Sequence, residues 1–401
     1  MKNIFLVLLL LTSSLSCYSQ KKDISTARGY IKSGKNLHKA EELMWQLLDD
    51  SLNRGNKKIW LTLYESIYKQ YEIENEKLYL NQKYDTVALF MQTKKMFSVL
   101  ESLDSVDALP GGDGKVALSF RKKHAETLNQ FRPNLYSGGI YFIRQQQYDV
   151  AFQFFNEYIN CATKPLFALY HYLNNDKMIS KAAYWAVYCG YKLNDPKATL
   201  RHSYLALKDS SNYCLMLQYL SETYLIENDS NRYYNTISEG FKKYPTFPYF
   251  FPRLIDYYSK RNLFDKALEV CDQALTTDSL NINFLFAKST ILLNTSRYDK
   301  CLEVCDRLIA LNDSFPDAYL NAGLAYYNQA VEIDKNFSIA RKQHAKIIQF
   351  YKCALSYFEK YKILAPDQKK KWALPLYTIY LNLNMGKEFD AINQILREMK
   401  N

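Results

Sequence analysis

Apolar residues recur every three or four positions along most of the chain. Ala40, Leu43, Leu47 and Leu48 share one face, Trp60, Leu63, Tyr64, Ile67, Tyr68 and Tyr71 another, and the stretch Val87 to Leu103 a third. This is the period of amphipathic helices that bury one stripe and leave the rest in water. Only 12 Gly and 10 Pro punctuate 401 residues, too few for the turns of a sandwich or barrel. The pattern predicts an all-α chain. Its one dense breaker cluster, Leu109-Pro110-Gly111-Gly112-Asp113-Gly114, predicts a surface loop.

The chain also repeats itself. Lys-Ala-Leu-Glu-Val-Cys-Asp at Lys266 to Asp272 returns as Lys-Cys-Leu-Glu-Val-Cys-Asp at Lys300 to Asp306, an offset of 300 − 266 = 34 residues. Phe251, Leu254, Tyr258, Ala267 and Ala274 stand at the separations of a two-helix unit, and Leu285, Leu292, Cys301 and Cys305 follow one period later. Tyr319, Gly323 and Tyr326 open a further unit, whose second half, Ala354, Phe358 and Pro366, is displaced by 354 − 335 = 19 residues. Upstream, Leu217, Leu220, Tyr224 and Pro245 fit the same template, as do Leu135, Gly139, Phe142, Ala151 and Phe155.

A period of 34 with this order of large, small and aromatic positions resembles the tetratricopeptide repeat (TPR) family. The resemblance implies an α-α superhelical solenoid of TPR-like helix pairs, in which each pair is too small to bury its own stripe and must stack on the next. The expected organisation is a signal peptide at 1–19, divergent helical repeats at 20–108 and a linker at 109–121. TPR-like repeats then fill 122–401, with an insertion near 327–350 and a closing cap from Trp372 to Glu398.

The leader reading rests on Lys2, the apolar run Ile4 to Leu11 and the small residues Thr12 to Ser16. That run is eight residues long, whereas a membrane-spanning helix needs about 20. Cleavage before Gln20 gives an exported protein, periplasmic or associated with the outer membrane. Cys17 offers the alternative of a lipidated N-terminus, although Leu15 is out of place for that motif.

The formal charge is +11, carried by short basic groups such as Lys57-Lys58 and Lys369 to Lys371 with acids between them. Dispersion of this kind reads as a solvated face, with peripheral attraction to an anionic envelope as the minor reading and no nucleic-acid partner. Of the eight Cys, seven remain after the leader, and an odd number cannot all pair internally. Cys271, Cys301 and Cys305 fall where the repeat wants small apolar residues, so they read as buried thiols.

Reactive constellations are lacking in the spacing. Gly114-Lys115 has Leu109 where a phosphate loop needs its leading Gly, and Val116 where it needs Ser or Thr. The five His are widely separated, and no His/Cys set has zinc spacing. The sequence therefore predicts no catalytic residue, no metal and no cofactor. It predicts a non-enzymatic scaffold for protein or peptide partners. The alternative is a glycan- or small-nutrient-binding component of an envelope uptake system.

Two sets of binding candidates emerge. The TPR resemblance implies an inner wall formed by the first helix of each pair, which places Tyr136, Arg144, Gln218, Glu222, Asp256, Lys260 and Asn328 there. Independently, Phe247, Tyr249 and Phe250, interleaved with Pro245, Pro248 and Pro252, form an aromatic and proline concentration that either packs or offers an exposed platform.

Overall fold

A computed structural model describes residues 20–110, 114–335 and 337–399. The expected leader at 1–19, with Cys17, lies outside the described residues. Among those described, the regular elements are all helical, and no helix is long and apolar enough to cross a membrane.

The chain forms two compact units, divided after Asp229. In the first, α1 (20–33), α2 (Leu37–Asp49), α3 (Lys57–Tyr79), α4 (Thr86–Asp107), α5 (Arg121–Arg144) and α6 (Tyr148–Asn160) follow one another. Short 3-10 turns then lead to α7 (Tyr172–Asn175), α8 (Ile179–Lys192), α9 (Pro196–Arg201), α10 (Ser203–Ala206) and α11 (Tyr213–Ile226). The second holds α12 (Ser230–Lys243), α13 (Phe250–Ser259), α14 (Phe264–Thr277), α15 (Ile282–Asn294) and α16 (Tyr298–Leu311). It ends with α17 (Pro316–Asp334), α18 (Phe337–Lys342), α19 (His344–Leu364), α20 (Lys369–Asn382) and α21 (Gly386–Glu398).

The 34-residue period is set by one recurring turn. Asn194, Asn228, Asn262 and Ser296 lie 34 residues apart, and each has a left-handed backbone, φ between 52° and 58°. The residue after each donates its N–H back over the turn: Asp195 to Gly190 O at 3.0 Å, and Asp229 to Tyr224 O, Leu263 to Tyr258 O and Arg297 to Leu292 O at 2.9 Å. This satisfies carbonyls that a helix end leaves orphaned, and Asn tolerates the conformation better than most residues. Ala330 occupies the next place in the series. It is fully buried inside α17, which runs on to Asp334 without a turn.

Small residues let paired helices approach. Ala267, Cys271, Cys301 and Cys305 are fully buried along α14 and α16, and all seven described cysteines are free thiols. A Cβ added at Gly139 on α5 would lie 2.5 Å from the Phe155 ring on α6, so the seam closes only around a bare backbone. Ion pairs fix the junction of α4 and α5. Asp104 takes Arg121 through two hydrogen bonds of 2.7 and 2.8 Å, while buried Asp107 accepts from Lys57 and from the Phe120 N–H.

One buried histidine makes the first unit sensitive to acid. His202 meets Asn156 Oδ1 at 2.9 Å, and burial, aided by the charge of Arg201, pushes its pKa down from 6.5 to about 4. The fold favours the neutral ring, so this contribution is complete above pH 6.5 and is lost as pH falls toward about 4, where the unfolded chain binds the extra proton. The difference in urea stability between the wild type and His202→Gln should change by on the order of 3 kcal/mol across that window, a comparison that cancels the other titrating groups of the unit. His202→Gln should flatten that dependence; an equally steep profile in the variant would remove His202 as its source.

Candidate binding groove between the first helices of adjacent pairs

In the second unit, α13 and α15 are the first helices of consecutive pairs. A groove of about 530 Å³ opens between them. Its walls come from Phe247 and Pro248 in the preceding loop, Phe251 and Ile255 on α13, and Phe284 and Phe286 on α15. The Phe251 and Phe284 rings meet at 4.5 Å between centroids and form the floor. Asn281 holds the start of α15 in place, its side chain accepting from the Asn283 and Phe284 N–H groups and donating to Asp278. Asp256, Ser259 and Asn283 supply the polar rim, and Asp256 is the one ionisable side chain among the lining residues.

The sequence-derived candidates divide around this groove. Asp256 lines it and pairs with Lys260 at 2.8 Å, both side chains facing water. Phe247 is half-buried and lines it too, whereas Tyr249 and Phe250 lie in the core, 7 % and 0 % exposed. The Phe250 ring sits over Gly240, where a Cβ would come within 2.4 Å of it. The platform open to a ligand therefore contains Phe247 without those two neighbours.

In the first unit, Gln218 and Glu222 on α11 meet Tyr191 on α8. Tyr191 donates to Glu222 at 2.8 Å, Gln218 donates to its other oxygen at 3.3 Å, and the Tyr191 and Tyr219 rings stack at 4.4 Å. Tyr136 packs edge-on against Phe155 and Tyr158, and burial raises its pKa. Arg144 is exposed at the end of α5, and Asn328 is half-buried on α17. The structure thus joins Gln218 with Glu222, and Asp256 with Lys260, while Asn328, in the same unit as the groove, does not line it.

Phe284 and Phe286 escaped the sequence reading. They stand 34 residues after Phe250 and Pro252, so one period's step from the aromatic and proline cluster points to both. A second groove, about 440 Å³, lies between the second helices α12 and α14, where the Tyr234 and Tyr258 hydroxyls meet at 2.8 Å beside Lys242, Lys266 and Glu269.

No family model and no curated protein matches the sequence. Among solved structures, the chain is similar to the C-terminal part of a TPR repeat-containing protein from Cytophaga hutchinsonii, at 12 % identity and a TM-score of 0.44, covering 64 % of this chain and 92 % of that one. It is also similar to yeast Tom70, at 15 % identity and 0.34, covering 94 % and 91 %. A third neighbour is a Rap protein complexed with competence and sporulation factor, at 10 % identity and 0.24, covering 94 % and 99 %. The class rests on this chain's own turns and seams: it is an all-α protein of TPR-like helix pairs.

Proposed function

We propose that this protein is a non-enzymatic scaffold, exported to the cell envelope, that holds a segment of a protein partner in the groove between α13 and α15. One observation carries the reading: a preformed cleft of about 530 Å³, walled by Phe and Pro side chains and rimmed by few polar groups. Such a cleft buries apolar side chains of an extended segment while its rim orients the backbone, and being preformed it spends little free energy on ordering. A glycan, by contrast, asks for many converging hydrogen bonds, and Asp256, Ser259, Asn281 and Asn283 are too few and too spread to supply them. Export is supported by Lys2 and the apolar run Ile4 to Leu11.

The test is photo-crosslinking in intact cells from a probe placed at Asn283, on the groove rim, against the same probe at Glu303, which is exposed on α16 and lines neither groove. Discrete protein adducts from Asn283 and none from Glu303 are expected. Adducts containing only glycan would overturn the proposed partner class.

A further inference from the structure

Inside the first unit, Glu101 on α4, Glu157 on α6 and Cys161, just beyond α6, converge. Their ligand atoms all lie within 4.8 Å of one another. Cys161 is fully buried, and the Glu101 side chain is only 10 % exposed. Glu101 Oε1 and Glu157 Oε1 are buried and have no hydrogen-bond partner among the described residues. A buried carboxylate oxygen without a donor is costly, and two side by side are more so.

Three cations surround the cluster. Lys164 Nζ sits 3.1 Å from Glu101 Oε2, the oxygen on the other side of that carboxylate. Arg132 is held by Asp176 at 2.6 Å, lies against the rings of Tyr158 and Tyr172 at 3.7 and 3.8 Å, and also reaches the Cys161 thiol. Lys94 faces Glu157 but donates to Gln153. With Glu101 balanced by Lys164 and Arg132 by Asp176, the charge of Glu157 has no ion-pair partner among the described residues.

We propose that Glu101, Glu157 and Cys161 form a binding site for a divalent cation of the zinc class. A thiol beside two carboxylates favours a borderline metal over calcium or magnesium, which take oxygen ligands alone. On this assignment the metal's two positive charges meet the Glu157 carboxylate and a Cys161 thiolate, the Glu101–Lys164 pair adds nothing, and Lys94, whose charge the neutral Gln153 side chain does not offset, leaves one positive charge beside Glu157. On binding, the Cys161 thiol releases its proton to solvent and its sulfur lone pair forms the metal bond. Zinc bonds of about 2.0–2.3 Å need ligand atoms about 3.5 Å apart, so side-chain closure of about 1 Å completes the set and leaves a fourth position for water. The rival occupant is a single proton shared between the two carboxyls. Burial and the charge of Glu157 push Glu101 up to about 7, which suits such sharing.

Cobalt(II) separates the two, because a cobalt–thiolate bond gives a near-ultraviolet charge-transfer band that a shared proton does not. One equivalent of Co²⁺ added to the reduced, metal-stripped mature protein should produce the band, and Zn²⁺ should abolish it by displacement. Cys161→Ser should eliminate it. Glu157→Gln, which preserves shape and therefore the fold, should retain the band but weaken Zn²⁺ binding at least about tenfold, since losing a ligand costs no less than losing the hydrogen bond behind one. No band in the folded wild type, or a band that survives Cys161→Ser, would overturn the assignment.

Discussion

Replacing Ala267 with Glu should lower the stability of the second unit by about 3 kcal/mol or more. Ala267 has no exposed surface and lies on the face of α14 that also buries Leu268, Cys271 and Ala274. A carboxylate introduced there loses its hydration and gains no cation, so the helix pair must either open or take up a proton. The urea midpoint at pH 7 checks this, and Ala267→Ser, nearly the same size, should cost far less. An unchanged midpoint in the Glu variant would mean that α14 packs through a different face.

Gly190→Ala should be almost as damaging, for a reason of space and not charge. An added Cβ would lie 2.4 Å from Thr199 N and 2.7 Å from the Ala198 carbonyl carbon, both backbone atoms of α9. A ring at such a distance can tilt, but a backbone in a short helix can move only if α9 separates from α8. A cost of about 3 kcal/mol is expected, at the upper end for overpacking. Gly29 supplies the control. It is exposed within α1 with nothing within 4 Å of its added Cβ, so Gly29→Ala should stabilise by up to about 1 kcal/mol. Thermal unfolding of the two variants should therefore shift in opposite directions; a shift of the same sign would refute the close approach of α8 and α9.

The fold was readable because its chemistry repeats. The Lys266 and Lys300 heptapeptides fix the phase of α14 and α16, and small residues at Ala267 and Cys301 mark the seam. The same period is written a second time in the spacing of Asn194, Asn228 and Asn262, the residues that take the left-handed turns. Ala330 shows the converse. An alanine has no local hydrogen bond to offset a left-handed backbone, so where it replaces the turn residue the helix continues.

The groove was only half readable, because aromatic density does not reveal which way a ring faces. Phe247, Tyr249 and Phe250 are indistinguishable in composition; Gly240 draws Phe250 into the core, and the Arg253 guanidinium lies 3.4 Å from the Tyr249 ring. Asp256 was reached through the family's inner-wall spacing, while Phe284 and Phe286 required that spacing to be applied to the aromatics as well. Glu101 and Glu157 lay beyond any such reading. They are separated by α5 and its loop, and no local spacing announces that their oxygens converge.

Crosslinking from Asn283 tests the central claim most directly when it is repeated with the groove filled by Ala287→Trp. Ala287 is half-buried on the groove wall, so the indole should occupy the cleft and leave the fold intact. Protein adducts present with Ala287 and reduced at least about tenfold with Trp are the expected result. Equal adduct yields from both proteins, each folded by circular dichroism, would contradict the assignment of binding to this groove.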